Sequence, residues 1–287
     1  MLSPRVIGIA LTWISLGFVA LGYSLPWAFH HPAFNLYRNA LIGWIGSGGG
    51  SHEANKALQV GLGILGGSIA GKWTMHGAIA WFGIRRRETW AVRATWGGLL
   101  GWFAVDSLAS WRLGAHFNIW MINLMPLVAV IPLLLLIDSK ALSAYERSPG
   151  PKEQVAAWVC GILVLAGLVV AFGANTFLFA PWWDQTGLEL FGGPMPHDAR
   201  RALVFCFGPI GGCIVANYVL FAWSARCGSE QPWVWRAILV SLLAWFLFDS
   251  TMCWTQGARF NVLSVNLGTV IATLPATFLL RRASTKG

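Results

Sequence analysis

Two aspartates lie inside apolar stretches of the chain, and each is followed at the same spacing by an asparagine. The pairs are Asp106 with Asn123 and Asp249 with Asn266. A turn centred near Gly114 predicts a helical hairpin in which Asp106 and Asn123 face each other at one depth. Because an ionisable side chain inside a membrane span is costly, such an aspartate marks a functional site by default. The alternative is structural, since an aspartate–asparagine hydrogen bond would pin the hairpin and contribute about 1 kcal/mol.

Lys72 and His76 lie one helical turn apart in another apolar stretch. At a rise of about 1.5 Å per residue, Lys72 and Asp106 come close enough in depth to form a buried ion pair. Asp106, Lys72 and His76 are therefore the candidate catalytic residues, with Asp106 as the acid or base of a proton transfer and Lys72 adjusting its acidity. The alternative is a lysine that extends into a water-filled crevice. The candidate ligand-binding residues are Asn123, Asp249, Asn266, Trp102 and Trp111.

Two histidine–carboxylate pairs, His52-Glu53 and His197-Asp198, begin apolar stretches on the predicted outer face. One interpretation is an acid/base pair or a metal ligand. The other is that an acidic residue in the first turn of a helix stabilises the helix dipole. One histidine and one carboxylate fall short of the three or four protein ligands that zinc takes, so no metal site is predicted.

The sequence contains an internal repeat. Residues 100–136 align with residues 243–279 without a gap, and fifteen of the 37 aligned positions are identical. A second pair of similar blocks begins at His52 and at His197. We therefore predict two tandem four-helix repeats, residues 1–143 and 144–287. An even number of spans in each repeat gives the two repeats parallel topology.

The composition predicts an all-α polytopic membrane protein with about eight transmembrane helices. Hydrophobic residues make up 56% of the chain and charged residues only 11%, whereas soluble domains carry about 25% charged residues. A span of the bilayer needs about 20 apolar residues. The predicted spans are 7–27, 57–83, 91–112, 117–137, 156–180, 201–224, 233–254 and 260–281. A long outer loop follows the first span.

Membrane orientation explains the net charge of +9 better than a nucleic-acid partner does. Basic residues concentrate in the connections on one side of the predicted spans, and that side is expected to be cytoplasmic. The charges on that side are Arg5, Arg85, Arg86, Arg87, Lys140, Arg147, Lys152, Arg226, Arg281, Arg282 and Lys286. We expect a protein integral to the plasma (inner) membrane, with both termini in the cytoplasm and no nucleic-acid partner.

The sequence favours a protein that binds a lipid-like or hydrophobic small molecule in a helix-lined cavity and that, as an enzyme, would act on it by proton transfer. Eighteen tryptophans are available to line such a cavity, although packing alone would also account for them. A small-solute transporter is an alternative, because Gly66-Gly67 and Gly208-Pro209 interrupt corresponding spans. The same glycines would equally allow close helix packing.

A third function remains open, that of a structural subunit of a larger membrane complex. The eight predicted spans leave only short connections and tails, and no complete catalytic motif accompanies them. No motif for ATP, nicotinamide or haem occurs, so ATP-driven and nicotinamide chemistry are disfavoured and the sequence names no cofactor. Membrane lipids are the expected partners, together with a hydrophobic ligand.

The four-span unit resembles the EXPERA family, which includes emopamil-binding protein and related sterol isomerases. The resemblance rests on an acidic residue early in one span, on the Gly208-Pro209 segment, on an aspartate late in the following span, and on an asparagine and then a proline in the last span (Asn123 to Pro132, and Asn266 to Pro275). Tandem copies of the unit also occur in that family. The resemblance implies a four-helix membrane fold, here in duplicate.

Overall fold

A computed structural model describes residues 1–46, 50–143 and 149–284 of the chain. The protein is 88% helical, and the described residues contain no β-strand, which confirms the all-α fold class. The predicted boundary between the repeats adjoins residues 144–148, and the predicted inner-side charges Arg147 and Lys286 lie outside the described ranges.

The described part of the first half contains five helices. They are α1 (Pro4–Ala28), α2 (Asn35–Ile45), α3 (His52–Ala78), α4 (Thr89–Arg112) and α5 (His116–Leu135). Helix α3 continues into a π-helical turn at Ile79–Gly83, and α5 contains another at Ile119–Asn123. Ser51 caps the start of α3, because its Oγ accepts a hydrogen bond from the Ala54 amide at 3.1 Å.

The described part of the second half also contains five helices. They are α6 (Pro151–Gly173), α7 (Ala180–Phe191), α8 (His197–Gly228), α9 (Pro232–Gln256) and α10, which is a π-helical turn at Asn261–Asn266 followed by Leu267–Ser284. Proline occupies the first position of α6 and of α9, where its fixed φ favours helix initiation. Gly192 and Gly257 end α7 and α9 with φ values of 73° and 89°.

Six of the long helices, α1, α5, α6, α8, α9 and α10, are long and apolar enough to cross a membrane by length and composition. Large apolar side chains are exposed on these helices, including Trp13 (69%) and Trp158 (75%). Helices of this kind indicate a membrane-embedded protein. Helices α3 and α4 have 27 and 24 residues but do not meet the same criterion of apolarity.

Helices α3 and α8 pack against each other at the centre of the structure. Helix α3 is also covered by α1 and α9, and α8 is covered by α6 and α4. Each central helix is therefore enclosed by one helix from its own half and one from the other half. Most side chains of α3 are buried as a result, which explains how it carries Lys72 and His76 without exposing them to lipid.

Glycines allow the neighbouring helices to approach the two central helices closely. A Cβ atom on Gly67 of α3 would lie 3.0 Å from the carbonyl oxygen of Trp245 on α9. A Cβ atom on Gly212 of α8 would lie 3.1 Å from the carbonyl oxygen of Trp102 on α4. Small residues serve this purpose at helix interfaces in membranes. Close packing is thus what these two glycines do in the structure.

Two basic side chains connect the halves at the end of the bundle where α3 and α8 begin. Lys56 Nζ donates to the Leu190 carbonyl oxygen at 2.6 Å, and Arg201 Nη2 donates to the Trp44 carbonyl oxygen at 2.6 Å. Lys56 thereby reaches the last turn of α7, and Arg201 reaches the last turn of α2, each in the other half of the chain. Positive charge is stabilising there, because the last carbonyl groups of a helix lack partners within the helix and carry partial negative charge.

The connection between α1 and α3 is not the long loop that the sequence suggested, because it contains α2. Helix α7 lies between α6 and α8 in the same way. These helices have 11 and 12 residues, too few to cross a membrane, and so they gave no span signal.

We expect Gly211→Ala to destabilise the protein. The added Cβ would lie 2.5 Å from the Gly167 carbonyl oxygen and 2.6 Å from the Ala171 amide nitrogen, both on the backbone of α6. Overpacking of this kind costs about 1–3 kcal/mol. The matched control is Gly17→Ala on α1, where a Cβ meets no atom within 4 Å. Thermal unfolding in detergent measures the effect, and equal midpoints for the two variants would contradict close packing of α6 on α8.

Candidate functional site

A buried hydrogen-bond network surrounds Asp106 where α4 faces α5. Asn118 Nδ2 donates to Asp106 Oδ1 and to Ser110 Oγ, both at 2.9 Å. Asn118 Nδ2 also donates to Asn123 Oδ1 at 3.3 Å. Asn123 Nδ2 in turn donates to Ser107 Oγ at 3.1 Å. The structure therefore brings Asp106 and Asn123 into one cluster, with Asn118 between them.

A second network of the same residue types surrounds Asp249 where α9 faces α10. Asp249 Oδ1 accepts hydrogen bonds from Asn266 Nδ2 at 2.9 Å and from Asn261 Nδ2 at 3.3 Å. Cys253 Sγ donates to the same oxygen at 3.2 Å. Asp249 Oδ2 accepts from the indole nitrogen of Trp245 at 3.1 Å. Donors on both oxygens hold this carboxylate in place and pin α9 to α10.

Both networks depend on a π-helical turn. Asn118 and Asn123 are five residues apart on α5, and in a regular α-helix of 3.6 residues per turn they would point in directions about 140° apart. The wider turn at Ile119–Asn123 lets both asparagines face α4, and the turn at Asn261–Asn266 does the same towards α9. Turns of this type are frequent at functional sites.

The short helices each contact the central asparagine of a network. Tyr37 Oη donates to Asn118 Oδ1 at 2.8 Å, and the Trp182 indole nitrogen donates to Asn261 Oδ1 at 3.3 Å. Burial raises the pKa of Tyr37 well above its usual value, and the nearby negative charge of Asp106 acts in the same direction. The Tyr37 hydroxyl therefore stays protonated and donates this hydrogen bond, which holds α2 against the α4–α5 hairpin.

Lys72 lies beside Trp102 and not in an ion pair with Asp106. Within the described ranges, no carboxylate lies within 4.0 Å of the Lys72 ammonium group. Its Nζ is 3.8 Å from the ring centre of Trp102 and 4.6 Å from that of Trp73. Trp102 precedes Asp106 by one turn of α4. The side chain is only 1% exposed, so it does not extend into an open crevice either.

The face of α3 that carries Lys72 also carries buried polar atoms without partners. Ser68, Lys72 and His76 follow one another at four-residue spacing, so they lie on one face of the helix. Both ring nitrogens of His76 and the Oγ of Ser68 lack a hydrogen-bond partner among the described residues. An unpaired buried polar group costs about 1–3 kcal/mol. On this face of α3, therefore, buried polar groups remain that the packing of the described residues does not satisfy with hydrogen bonds.

Trp111 is separated from the other candidate ligand-binding residues. Its side chain is 63% exposed and packs against the His116 ring, with the centroids 4.5 Å apart. Trp102, in contrast, is buried against Lys72. The two tryptophans do not line one cavity, because they lie on different faces of α4.

The histidine–carboxylate pairs lie at the exposed starts of α3 and α8. His52 and Glu53 are exposed in the first turn of α3. His197 Nδ1 lies 3.2 Å from Asp198 Oδ1, and the His197 side chain is 80% exposed. The described residues contain no group of three or more histidines, cysteines or carboxylates arranged to hold a metal ion.

A groove lies between α4, α6 and α8, near the start of α4 and α6 and the end of α8. Its volume is about 930 Å³, within the range of about 300–1,000 Å³ that is typical of small-molecule sites. We call it the arginine groove. The residues that define it are Arg93, Gln154, Trp158, Gly161, Trp223 and Arg226.

The arginine groove is polar at one end and apolar at the other. Arg93, Gln154 and Arg226 lie close to the ends of their helices. Gly161 lies seven residues further along α6 than Gln154, which places it about 10 Å deeper. The indole of Trp158 forms part of the wall between these levels. A lining of this kind suits a molecule with one polar and one apolar end.

Sequence reasoning missed two parts of this arrangement. The first is the central position of Asn118 and Asn261, although both are identical positions of the internal alignment and could have been found there. The second is the arginine groove. Its walls come from α4 in one half and from α6 and α8 in the other, so no local pattern signals it.

Comparisons with known proteins do not assign the site. No family model matches the chain, and neither a curated protein nor a solved structure matches it.

We expect His76→Phe to stabilise the protein. The buried His76 imidazole has two nitrogens without partners, and the internal alignment places a phenylalanine, Phe221, at the corresponding position of the second half. Removing the unpaired nitrogens should raise the free energy of unfolding by about 1–3 kcal/mol. The reverse change, Phe221→His, should lower the stability, because Phe221 is fully buried. Thermal midpoints in detergent measure both effects. A lower midpoint for His76→Phe would mean that the imidazole has a stabilising partner in the folded protein.

Proposed function

We propose that this chain is an eight-span membrane protein, built from two tandem repeats, that binds a lipid-like amphiphile in the arginine groove. The observation that carries the proposal is the groove itself, with its volume of about 930 Å³ and its change from polar to apolar lining with depth. Sites for small molecules are typically apolar concavities with a few polar groups, often between the helices of a bundle.

Two observations support eight spans. Helix α3, at 27 residues, would be about 40 Å long, and it packs along α1, α8 and α9, which are themselves apolar enough to cross a membrane. Helix α4 packs along α8 in the same manner. Because α3 is enclosed by other helices, it does not need the apolar surface that a lipid-facing span requires.

The order of elements supports the tandem repeat. In each half a long helix is followed by a 3₁₀ turn, a short helix, two long helices and a last helix that includes a π-helical turn. The two aspartate networks occupy the same place in this order. With four spans in each repeat, the repeats are parallel.

The charge distribution supports an orientation with both termini in the cytoplasm of a cell bounded by the plasma (inner) membrane. Arg85, Arg86 and Arg87 lie between α3 and α4, and Arg5 lies near the start of α1. Eight spans place all of these on one side, and an excess of basic residues favours the cytoplasmic side.

We expect a cysteine at Arg86 to be protected in intact cells. Eight spans place Arg86 in the cytoplasm, so Arg86→Cys in a Cys227→Ser background should react with a membrane-impermeant maleimide only after permeabilisation. His52→Cys, at the other end of α3, is the control and should react in intact cells. Both native side chains are exposed. Labelling of both variants in intact cells would mean that α3 does not cross the membrane, and labelling of Arg86→Cys alone would mean that the orientation is reversed.

The geometry favours binding over catalysis by the buried aspartates. Asp106 is 1% exposed and accepts hydrogen bonds from Asn118 and Ser110. Its surroundings match a hairpin-stabilising role, since hydrogen bonds between membrane helices contribute about 0.6 kcal/mol each on average. The proton-transfer roles of Asp106, Lys72 and His76 stay predictions, as does the relationship to the EXPERA family.

No specific observation favours the other functions over binding. The glycines that suggested a transport pathway contact neighbouring helices, as Gly67 does with Trp245. The exposed apolar side chains that a larger complex could cover are also those expected to face lipid. Transport and a role as a structural subunit stay predictions.

We expect Gly161→Trp to abolish amphiphile binding. A Cβ at Gly161 meets no atom within 4 Å, and Gly161 lines the arginine groove, so an indole there would occupy the space of the ligand. Native mass spectrometry of the protein released gently from its membrane should show a retained lipophilic mass in the unmodified protein and none in the variant.

The control for this experiment is Gly17→Trp. Gly17 lies on α1, which contributes no residue to the arginine groove, and a Cβ there likewise meets no atom within 4 Å. It should leave the retained mass unchanged. Retention of the same mass by Gly161→Trp would place the ligand elsewhere and contradict the proposal.

A further inference from the structure

We propose that a bound water molecule connects Lys72 on α3, Asp106 on α4 and Cys213 on α8, and that the lysine and the aspartate form an ion pair through it. The site lies in the interior of the bundle and is separate from the arginine groove. The inference therefore goes beyond the proposed function and does not rest on it.

The three side chains approach one another without forming a hydrogen bond. Lys72, Asp106 and Cys213 lie close enough for each to interact electrostatically with the other two. Within the described ranges, however, no carboxylate oxygen lies within 4.0 Å of the Lys72 ammonium group. A small molecule placed between the three side chains is therefore within reach of all of them.

Only one oxygen of the Asp106 carboxylate has hydrogen-bond partners among the described residues. Asp106 Oδ1 accepts from Asn118 Nδ2 at 2.9 Å and from Ser110 Oγ at 3.3 Å. The amide of Asn123 also lies near the carboxylate, but its Nδ2 donates to Ser107 Oγ at 3.1 Å. Asp106 Oδ2 is thus an acceptor that the described hydrogen bonds leave unpaired.

The second half shows which donor the first half lacks. There the Trp245 indole nitrogen donates to Asp249 Oδ2 at 3.1 Å. In the first half Trp102, the counterpart of Trp245, instead has its ring face 3.8 Å from the Lys72 ammonium nitrogen. The ammonium group thus lies beside an unpaired carboxylate oxygen, Asp106 Oδ2, but is not in contact with it.

The unpaired atoms of Lys72 and Asp106 differ in accessibility from other unpaired atoms nearby. Ser68 Oγ and both ring nitrogens of His76 lack partners and are completely enclosed. Lys72 Nζ and Asp106 Oδ2 also lack partners among the described residues but are not among the completely enclosed atoms, and each side chain keeps 1% exposure inside the bundle. A molecule of the size of water therefore reaches these two atoms, and it does not reach those of Ser68 and His76.

Water fits the chemistry of the site better than an ion does. An ammonium group only donates hydrogen bonds, a carboxylate only accepts them, and a thiol is weak in both roles. A buried water typically makes about three hydrogen bonds to polar groups that otherwise lack partners. One water accepts from Lys72 Nζ, donates to Asp106 Oδ2 and contacts the Cys213 thiol. An anion would be repelled by Asp106, and a cation would be repelled by Lys72.

The bridge also accounts for a charge in the interior. A lysine inside a membrane span is costly unless it has a partner. The faces of Trp102 and Trp73 supply part of the stabilisation. Through the water, Lys72 gains the counter-charge of Asp106, and α3 is joined to α4 and α8.

X-ray footprinting of the full-length protein in nanodiscs tests the inference. Radiolysis splits water into hydroxyl radicals, which oxidise the side chains next to the water molecule that produced them. Mass spectrometry of the digested protein then locates the oxidised cysteines. We expect Cys213 to be oxidised although it is buried, because the bound water lies beside its thiol.

Two other buried cysteines are matched controls within the same sample. Cys206 lies two helical turns before Cys213 on α8 and is likewise buried. Cys253 also lies beside a buried aspartate, but it donates directly to Asp249 Oδ1 at 3.2 Å. Both should stay unoxidised. Oxidation of all three cysteines to the same extent, or of none of them, would overturn the inference, because Cys213 would then have no water of its own.

A pair of variants tests the role of the ammonium group. Lys72→Met removes the donor and keeps a long side chain, so oxidation of Cys213 should fall to the level of Cys206. His76→Phe changes an enclosed residue one turn further along α3 and should leave the oxidation of Cys213 unchanged. Undiminished oxidation of Cys213 in a folded Lys72→Met variant would contradict the bridge.

Cys253 reports on folding in each variant, because it becomes oxidised when the bundle opens. Should Lys72→Met fail to fold by this criterion, the comparison of the three cysteines in the unmodified protein decides the inference by itself. Amphiphile binding is tested separately by Gly161→Trp, so either proposal can fail without the other.

Discussion

The arrangement of the whole molecule depends on the close approach of four helices to a central pair. Helices α3 and α8 contact each other, and each receives one helix from either half of the chain. Such proximity is possible because glycine stands at the contact points, as Gly67 and Gly212 do. The two halves are packed together by these contacts, since each central helix is enclosed partly by a helix of the other half. The interior so formed is closed enough to hold lysine, histidine and aspartate away from lipid.

The two halves use similar networks but differ in the partner of the tryptophan that precedes each aspartate by one turn. In the second half Trp245 donates its indole N–H to Asp249. In the first half the face of the Trp102 ring receives the ammonium group of Lys72. A buried cation over two indoles is stabilised by about 2 kcal/mol or more when desolvated. This difference makes the first half chemically distinct within a common framework.

Polar groups therefore occur in two settings with different consequences. The aspartate networks are enclosed, and their donors and acceptors serve one another across the α4–α5 and α9–α10 hairpins. The arginine groove is open, and its polar groups lie at the edge of an apolar surface. A ligand that enters from the bilayer meets the second setting and not the first. This is the physical reason for proposing that recognition takes place in the groove and that the networks stabilise the structure.

The sequence by itself determined the helical class, the membrane environment and the residues that two similar blocks retain. Composition and long apolar runs determine these locally, because a helix in lipid must satisfy its own backbone and cover itself with apolar side chains. Only the tertiary structure decided which retained residues meet. It placed the ammonium group of Lys72 over the Trp102 ring, because the packing of α3 and α4, which no local pattern encodes, decides which side chains meet. It also revealed α2, α7 and the arginine groove, since short helices lack a span signal and the groove combines three helices distant in the chain.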